Sequence, residues 1–211
     1  MLYLKVLLTV ILCYLIGNFS TGVALSRLHG GNDIRKEGSG NAGATNMLRV
    51  KGRSMAILTL AGDMLKGMLG VCVGWWLLGA DFGRELSGLI GAFASILGHD
   101  FPVLLGFKGG KGISTSFGAL LLLFPIQSVL LLLSFIVIVA ISHYVSVGSV
   151  ASAVLYPIYI IISTSLRPAA IVIVICIGLL AIFCHRSNIK RLIDGKENRL
   201  DFSMLKGKKK A

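Results

Sequence analysis

From Ile113 to Ser142 the chain carries no charged side chain. As one straight helix this run would be about 45 Å long. A second run, Ser149 to Cys184, is broken only at Ser163-Thr164-Ser165-Leu166-Arg167-Pro168. A chain of 211 residues has no core large enough to hide apolar lengths on this scale, and lipid is the solvent that accepts them. Composition agrees: 14% of residues are charged, against about 25% in soluble domains.

The formal charge of +12 would suit nucleic acid if it lay on a solvated domain. Here the basic residues fall in short segments between apolar runs, as orientation signals and contacts to anionic ligands do. Cys13, Cys72, Cys176 and Cys184 lie inside apolar stretches with no C-x-x-C, and read as small buried hydrophobes.

Taken in order, Leu2–Phe19 opens the first transmembrane helix, which ends near Arg27. A cleaved signal peptide is disfavoured by the single lysine before the apolar region and the lack of an A-x-A site. Ser54–Ala80 forms the second span. Gly70 and Gly74 in it are spaced for close packing, Trp75-Trp76 sit at its far end, and Asp63 and Lys66 share a face at i, i+3. That pair is equally a structural brace and an intramembrane functional site. Asp81–Glu85 is a polar turn, and Leu86–Leu97 begins a third span that must bend or stop before Pro102.

Breaking the two long runs at Pro125 and at 163–168 yields the expectation of an all-α integral membrane protein. It has seven transmembrane helices, the N-terminus outside and the C-terminus cytoplasmic. Lys5, Arg84 and Arg167 are then the basic residues left outside, as the positive-inside rule prefers. The chain reads as one domain, 1–211, with a basic, poorly ordered cytoplasmic tail over 198–211.

Two Gly-rich loops interrupt this pattern. Gly38-Ser39-Gly40-Asn41-Ala42-Gly43-Ala44-Thr45-Asn46, closed by Arg49, has small or amide side chains throughout, so backbone N–H groups can approach an anion closely. A phosphate cradle is the favoured reading and a bland Gly-rich turn the alternative. The match to G-x-G-x-x-G at Gly38, Gly40 and Gly43 lacks the strand and βαβ unit that a dinucleotide site needs. The second loop, Gly106-Phe107-Lys108-Gly109-Gly110-Lys111-Gly112, is not a Walker A motif, since Leu105 and Gly112 stand at required Gly and Ser/Thr positions. In the seven-span arrangement both loops, Tyr144-Val145-Ser146 and residues 185–197 meet in a recessed cytoplasmic-side site supplied with Arg49, Lys108, Lys111, Arg186 and Lys190. His29, His99, His143 and His185 show no metal-ligand spacing, and no G-x-S-x-G is present. His185 and Asn188, at i, i+3, share a helix face; the histidine reads equally as structural or catalytic.

GSGNAGATNMLR at 38–49, GHDFPVLLGFKGGKG at 98–112 and HRSNIKRLIDGKE at 185–197 resemble the three signature motifs of the bacterial membrane acyl-phosphate:glycerol-3-phosphate acyltransferases. Order and spacing match along most of the chain. Ser114, where alanine is usual, and Leu104-Leu105, where a bulkier residue is common, depart from the pattern and bear only on the pocket wall. The resemblance implies transfer of a fatty acyl group from acyl phosphate to the sn-1 hydroxyl of glycerol 3-phosphate, without a cofactor or metal, in the bacterial inner membrane. The product is lysophosphatidic acid, in the first acylation step of phospholipid synthesis. It implies catalytic roles for His185, Asn188, Ser39 and Arg49. Substrate contacts would come from Gly38, Gly40, Asn41, Gly43, Thr45, Asn46, His99, Lys108, Gly109, Gly110, Lys111 and Ser146.

An acyl phosphate is already activated, so such a protein mainly positions two anions and offsets charge on the leaving phosphate. The H-x4-D dyad of other acyltransferases is absent. Substrate assistance, with an acyl-phosphate oxygen taking the hydroxyl proton, is favoured over His185 or His99 as base, and His185 is expected to act as a neutral hydrogen-bond donor. The rivals are a membrane anion or phosphate transporter, disfavoured by the lack of an inverted repeat, and a lipid-binding scaffold, which leaves the two Gly-rich loops unexplained.

Overall fold

The computed structural model describes residues 1–201. Nine helices occur among them: α1 (Leu2–Asn18), α2 (Thr21–Leu28), α3 (Ala44–Lys51), α4 (Arg53–Asp100), α5 (Ile113–Leu123), α6 (Pro125–Ser142), α7 (Val145–Ser163), α8 (Pro168–Cys184) and α9 (Arg186–Ile193). The breaks fall where backbone chemistry demands them. Pro125 and Pro168 each open a helix, where their missing N–H costs no ladder bond. α4 stops at Asp100, two residues before Pro102. The Ser20 hydroxyl accepts from the Val23 amide and starts α2.

α4 is helical throughout except at Gly83, whose φ of 77° and ψ of 170° suit glycine alone. The chain folds back there, so that the two limbs of α4 pack on one another. A Cβ on Gly91 would stand 2.0 Å from the Gly70 carbonyl oxygen, and one on Gly74 2.1 Å from that of Ser87. Small residues seat the neighbouring helices on both limbs in the same way: Gly17 of α1 against Ser95, and Gly118 of α5 against Met64. α6, α7 and α8 complete the bundle around Leu120, Leu131, Tyr156, Ile160 and Val174. Exposed Trp76, Ile126, Leu133 and Ile141 form part of the outer, lipid-facing surface. Inside it, the Lys66 ammonium donates to the Phe19 carbonyl (2.8 Å) and pairs with Asp63 (3.0 Å), bracing the break between α1 and α2.

The expectation of seven spans is corrected. Four stretches are long and apolar enough to cross a membrane: Leu2–Leu28, Arg53–Leu105, Pro125–Ser142 and Val145–Ser163. The pair α8 and α9, bent by 52°, makes a fifth if counted as one span. α5 has 11 residues, about 17 Å, and cannot cross a hydrocarbon core of about 30 Å. The polar turn expected over 81–85 narrows to Gly83, with helix on either side. A proline or polar break interrupts a helix without requiring a complete crossing on each side of it, and the assignment of the two ends to opposite faces rested on that count. Of the tail expected over 198–211, residues 202–211 lie outside the described residues. At its start the Leu200 amide donates to the His143 carbonyl (2.7 Å).

Candidate active site

The two Gly-rich loops are built as one unit. In the first, the buried Asn46 amide is committed to the loop's own backbone. Its Oδ1 accepts from the Ser39 N–H (2.8 Å), while Nδ2 donates to the carbonyls of Ile34 (3.2 Å), Glu37 (3.0 Å) and Asn41 (2.9 Å). Asn41 Oδ1 accepts from the Gly43 amide (2.8 Å) just ahead of α3. Arg35, which the sequence did not single out, ties this loop to the second one. Its Nη1 donates to the carbonyls of Leu105 (2.9 Å) and Lys108 (3.0 Å), and its Nη2 pairs with Asp33 at 2.7 Å. The guanidinium holds the Asp33 carboxyl well below the usual carboxylate range. In the second loop, Gly110 donates to the His99 carbonyl (3.0 Å), and a Cβ at Gly110 would meet the His99 ring at 2.0 Å.

Between these loops and the ends of α7, α8 and α9 lies a cavity of about 710 Å³. Its polar end is lined by Ser39, Asn41, Gly43, Thr45, Asn46, Arg49, His99, Lys111, Ser146, His185 and Asn188. The structure therefore gathers at one place most of the residues expected from all three motifs. Gly38, Gly40, Gly109 and Gly110 are not in its wall; their part is in shaping the loops. Lys108, Arg186 and Lys190 are exposed and do not line the cavity. Arg186 lies over the Phe183 ring, 4.3 Å from its centroid.

Arg49 and Lys111 are the expected cations that do reach the wall, joined there by Arg53. Burial, helped by Arg191, brings the Lys111 ammonium down to about 8, with Glu197 opposing the shift. Lys111 donates to Asn188 Oδ1. The Asn188 Nδ2 donates to Glu197 Oε1 (2.9 Å), and the other Glu197 oxygen pairs with Arg191 at 2.8 Å. Glu197 thus brings a carboxylate into the cavity wall among these cations. It closes the third motif in the sequence, and its position there was the available signal.

His185 is buried at the junction of α8 and α9. Its Nδ1 lies 2.8 Å from the Ala181 carbonyl oxygen. A carbonyl can only accept, so Nδ1 carries the proton, and in the neutral ring Nε2 keeps its lone pair. The nitrogen left for the cavity is therefore an acceptor, whereas a neutral donor was expected. The Ser146 hydroxyl is buried at the wall without a protein partner. Below it the cavity turns apolar, running down α7 past Ser149, Ser152 and Ala153 to Tyr156, opposite Leu131 and Phe135 of α6 and Ile177 of α8. No feature of the sequence pattern marked these residues. Chemically, the arrangement offers cations and loop amides at one end, a hydrogen-bond acceptor beside them, and a long hydrocarbon-lined extension.

A family model described as glycerol-3-phosphate acyltransferase matches residues 7–195. The glycerol-3-phosphate acyltransferase of Finegoldia magna is 44% identical over 198 residues, covering 94% of this chain and 98% of the relative. That of Clostridioides difficile is 39% identical over 193 residues, with 90% and 93% covered. Among solved structures, the chain is similar to PlsY (YgiH), an integral membrane glycerol 3-phosphate acyltransferase. Its glycerol 3-phosphate form superposes with a TM-score of 0.86 at 32% identity, covering 96% of this chain and 99% of that one. Its lysophosphatidic acid form gives 0.83 at 31%, with the same coverage.

Proposed function

We propose, for a chain that belongs to the bacterial membrane glycerol-3-phosphate acyltransferase family, that the cavity is where acyl phosphate and glycerol 3-phosphate meet. The protein is a multi-pass membrane enzyme that transfers an acyl group from acyl phosphate to glycerol 3-phosphate and forms lysophosphatidic acid. The observation that carries the placement is the cavity's two-ended chemistry: Arg49 and Lys111 at one end, hydrocarbon at the other. A phosphate-bearing headgroup with a fatty chain needs that division.

In this reading the Gly-rich loop at 38–46, Ser39 and Arg49 hold one phosphate, and Lys111, fixed by Asn188, faces the other. Paired cations bring the two anions to reacting distance and offset charge on the departing phosphate. The glycerol 3-phosphate hydroxyl attacks the acyl carbonyl, the carbon–oxygen bond to phosphate breaks, and phosphate leaves. His185 Nε2, bare in the neutral tautomer, accepts the hydroxyl proton as the ester forms, and the proton ends on the released phosphate. Ser146, with its hydroxyl unpartnered, supplies a hydrogen bond to a substrate oxygen. His99 is buried beside Asp63 (3.8 Å) and positions the second loop.

The site faces the cytoplasm in this reading. Charge supports it: Lys5, Asp81, Phe82 and Arg167 come together at the far end through the Lys5–Asp81 pair and the Arg167–Phe82 hydrogen bond, and the loops rich in Lys and Arg surround the site.

Purified protein given acyl phosphate and labelled glycerol 3-phosphate should release labelled lysophosphatidic acid and one phosphate per turnover. Equal turnover with acyl-coenzyme A in a preparation free of acyl phosphate would overturn the donor assignment. Cysteines replacing Ser39 and Lys196 should resist an impermeant thiol reagent in intact cells while one replacing Glu85 reacts; the opposite pattern would reverse the orientation.

A further inference from the structure

The apolar extension of the cavity ends at a defined place. Along α7 its wall runs from Ser146 through Ser149, Ser152 and Ala153 to Tyr156 and no further. One turn deeper, Ile160 of α7 and Val174 of α8 are fully buried, and they pack in the same cluster as Tyr156. The Tyr156 ring is thus the deepest part of the α7 wall and rests on closed core. Its hydroxyl is buried with no protein partner, as is that of Ser152. A phenol is an uncommon choice for packing inside a membrane protein when its O–H finds no partner. At the floor of a cavity it is a rigid stop that a hydrocarbon end gains nothing by pressing against.

We propose that Tyr156 sets the acyl-chain length this enzyme accepts, by closing the groove that receives the donor's hydrocarbon tail. The proposal rests on the acyltransferase reading above and deepens it. From Ser146 to Tyr156 is ten residues of helix, about 15 Å at 1.5 Å per residue. Consecutive Cα atoms stand 3.80 Å apart over three bonds, so an extended chain advances about 1.25 Å per bond and the groove matches about twelve bonds. The cavity also has exposed Ile57, Leu60 and Leu132 in its wall between α4 and α6, an opening towards lipid through which a tail can slide in from the side. A chain that outgrows the floor must buckle towards that opening, and the misfit falls on the reacting carbonyl.

The experiment is a chain-length profile: initial rates of lysophosphatidic acid formation from saturated acyl phosphates of graded length, at saturating glycerol 3-phosphate. Tyr156→Leu shortens the floor's side chain by roughly 4 Å, about three bonds, and should move the optimum to longer donors by two to four carbons (~3). Ala153→Leu narrows the groove one turn nearer His185 and should move it to shorter donors. The rate ratio between a long and a short donor should change about tenfold in opposite directions, in the range that one or two methylenes produce in a closed pocket. The KM for glycerol 3-phosphate should stay within about twofold, because neither residue lies at the polar end. Where either variant fails to accumulate, Tyr156→Met and Ala153→Val replace it. Profiles that overlay the wild type, or that fall evenly at every length, overturn the proposal. Wild-type protein that makes no lysophosphatidic acid from any acyl phosphate overturns the acyltransferase reading instead.

Discussion

The Lys111 ammonium donates to the side-chain oxygen of Asn188, 77 positions further along the chain. The second Gly-rich loop and the third motif are therefore tied directly to each other, and the cation's position depends on an amide that cannot take up its charge.

Lys111 gives the first prediction, on pH. Its ammonium, lowered to about 8 by burial, is charged below that pH and neutral above it. Anion binding should weaken as pH rises through about 8, seen as a rising KM for the phosphate substrates, and kcat should fall with it because the departing phosphate loses a balancing charge. Lys111→Arg keeps its charge throughout and should flatten that rise, though its fork fits the Asn188 contact less well. Steady-state kinetics across the range would check this; an unchanged alkaline limb in Lys111→Arg would assign the ionisation to another group.

Asn46 tests whether the first loop is held from within. Asn46→Ala removes four hydrogen bonds and leaves buried backbone groups unpaired, at a cost of about 2–4 kcal/mol to the folded loop. Activity should fall about a hundredfold. Asn46→Asp should not rescue it, because a carboxylate can still accept from Ser39 but cannot donate to the three carbonyls. Limited proteolysis across 38–46 alongside the assay would separate loop loosening from loss of a ligand contact.

With the His185 proton fixed on Nδ1 by Ala181, the bare Nε2 makes His185→Gln informative. If Nε2 takes the proton, kcat should fall by roughly a hundredfold or more at saturating substrate with binding intact by titration. A raised KM for glycerol 3-phosphate with kcat preserved would reduce His185 to orienting the hydroxyl, and return the proton to the acyl-phosphate oxygen.

The packing of α5 gives a stability prediction. A Cβ at Gly67 would lie 2.1 Å from the Thr115 carbonyl oxygen. Gly67→Ala should push α5 off α4 and destabilise the protein by about 1–3 kcal/mol, lowering the midpoint of thermal unfolding in detergent. Gly79→Ala, where nothing lies within 4 Å, is the control and should leave it unchanged or raise it.

Membrane residence, the helix breaks at Asp100, Pro125 and Pro168, and the segments carrying the three motifs were legible in the sequence. Each follows from hydrophobicity or backbone sterics acting within a few residues. Tertiary structure decided the rest. The number of crossings turned on how far each apolar segment runs before it breaks: α5, at 11 residues, falls short of one. Which cations serve the cavity turned on how each element is rotated: Arg49 and Lys111 enter its wall while Lys108 and Lys190 stay exposed. Asn46 became the loop's internal brace, and Arg35 the tie between loops, through contacts spanning up to 73 positions. The His185 tautomer and the floor at Tyr156 depend likewise on which groups face one another when helices pack, and hydrophobic patterning along one segment carries no information about the face its neighbour presents.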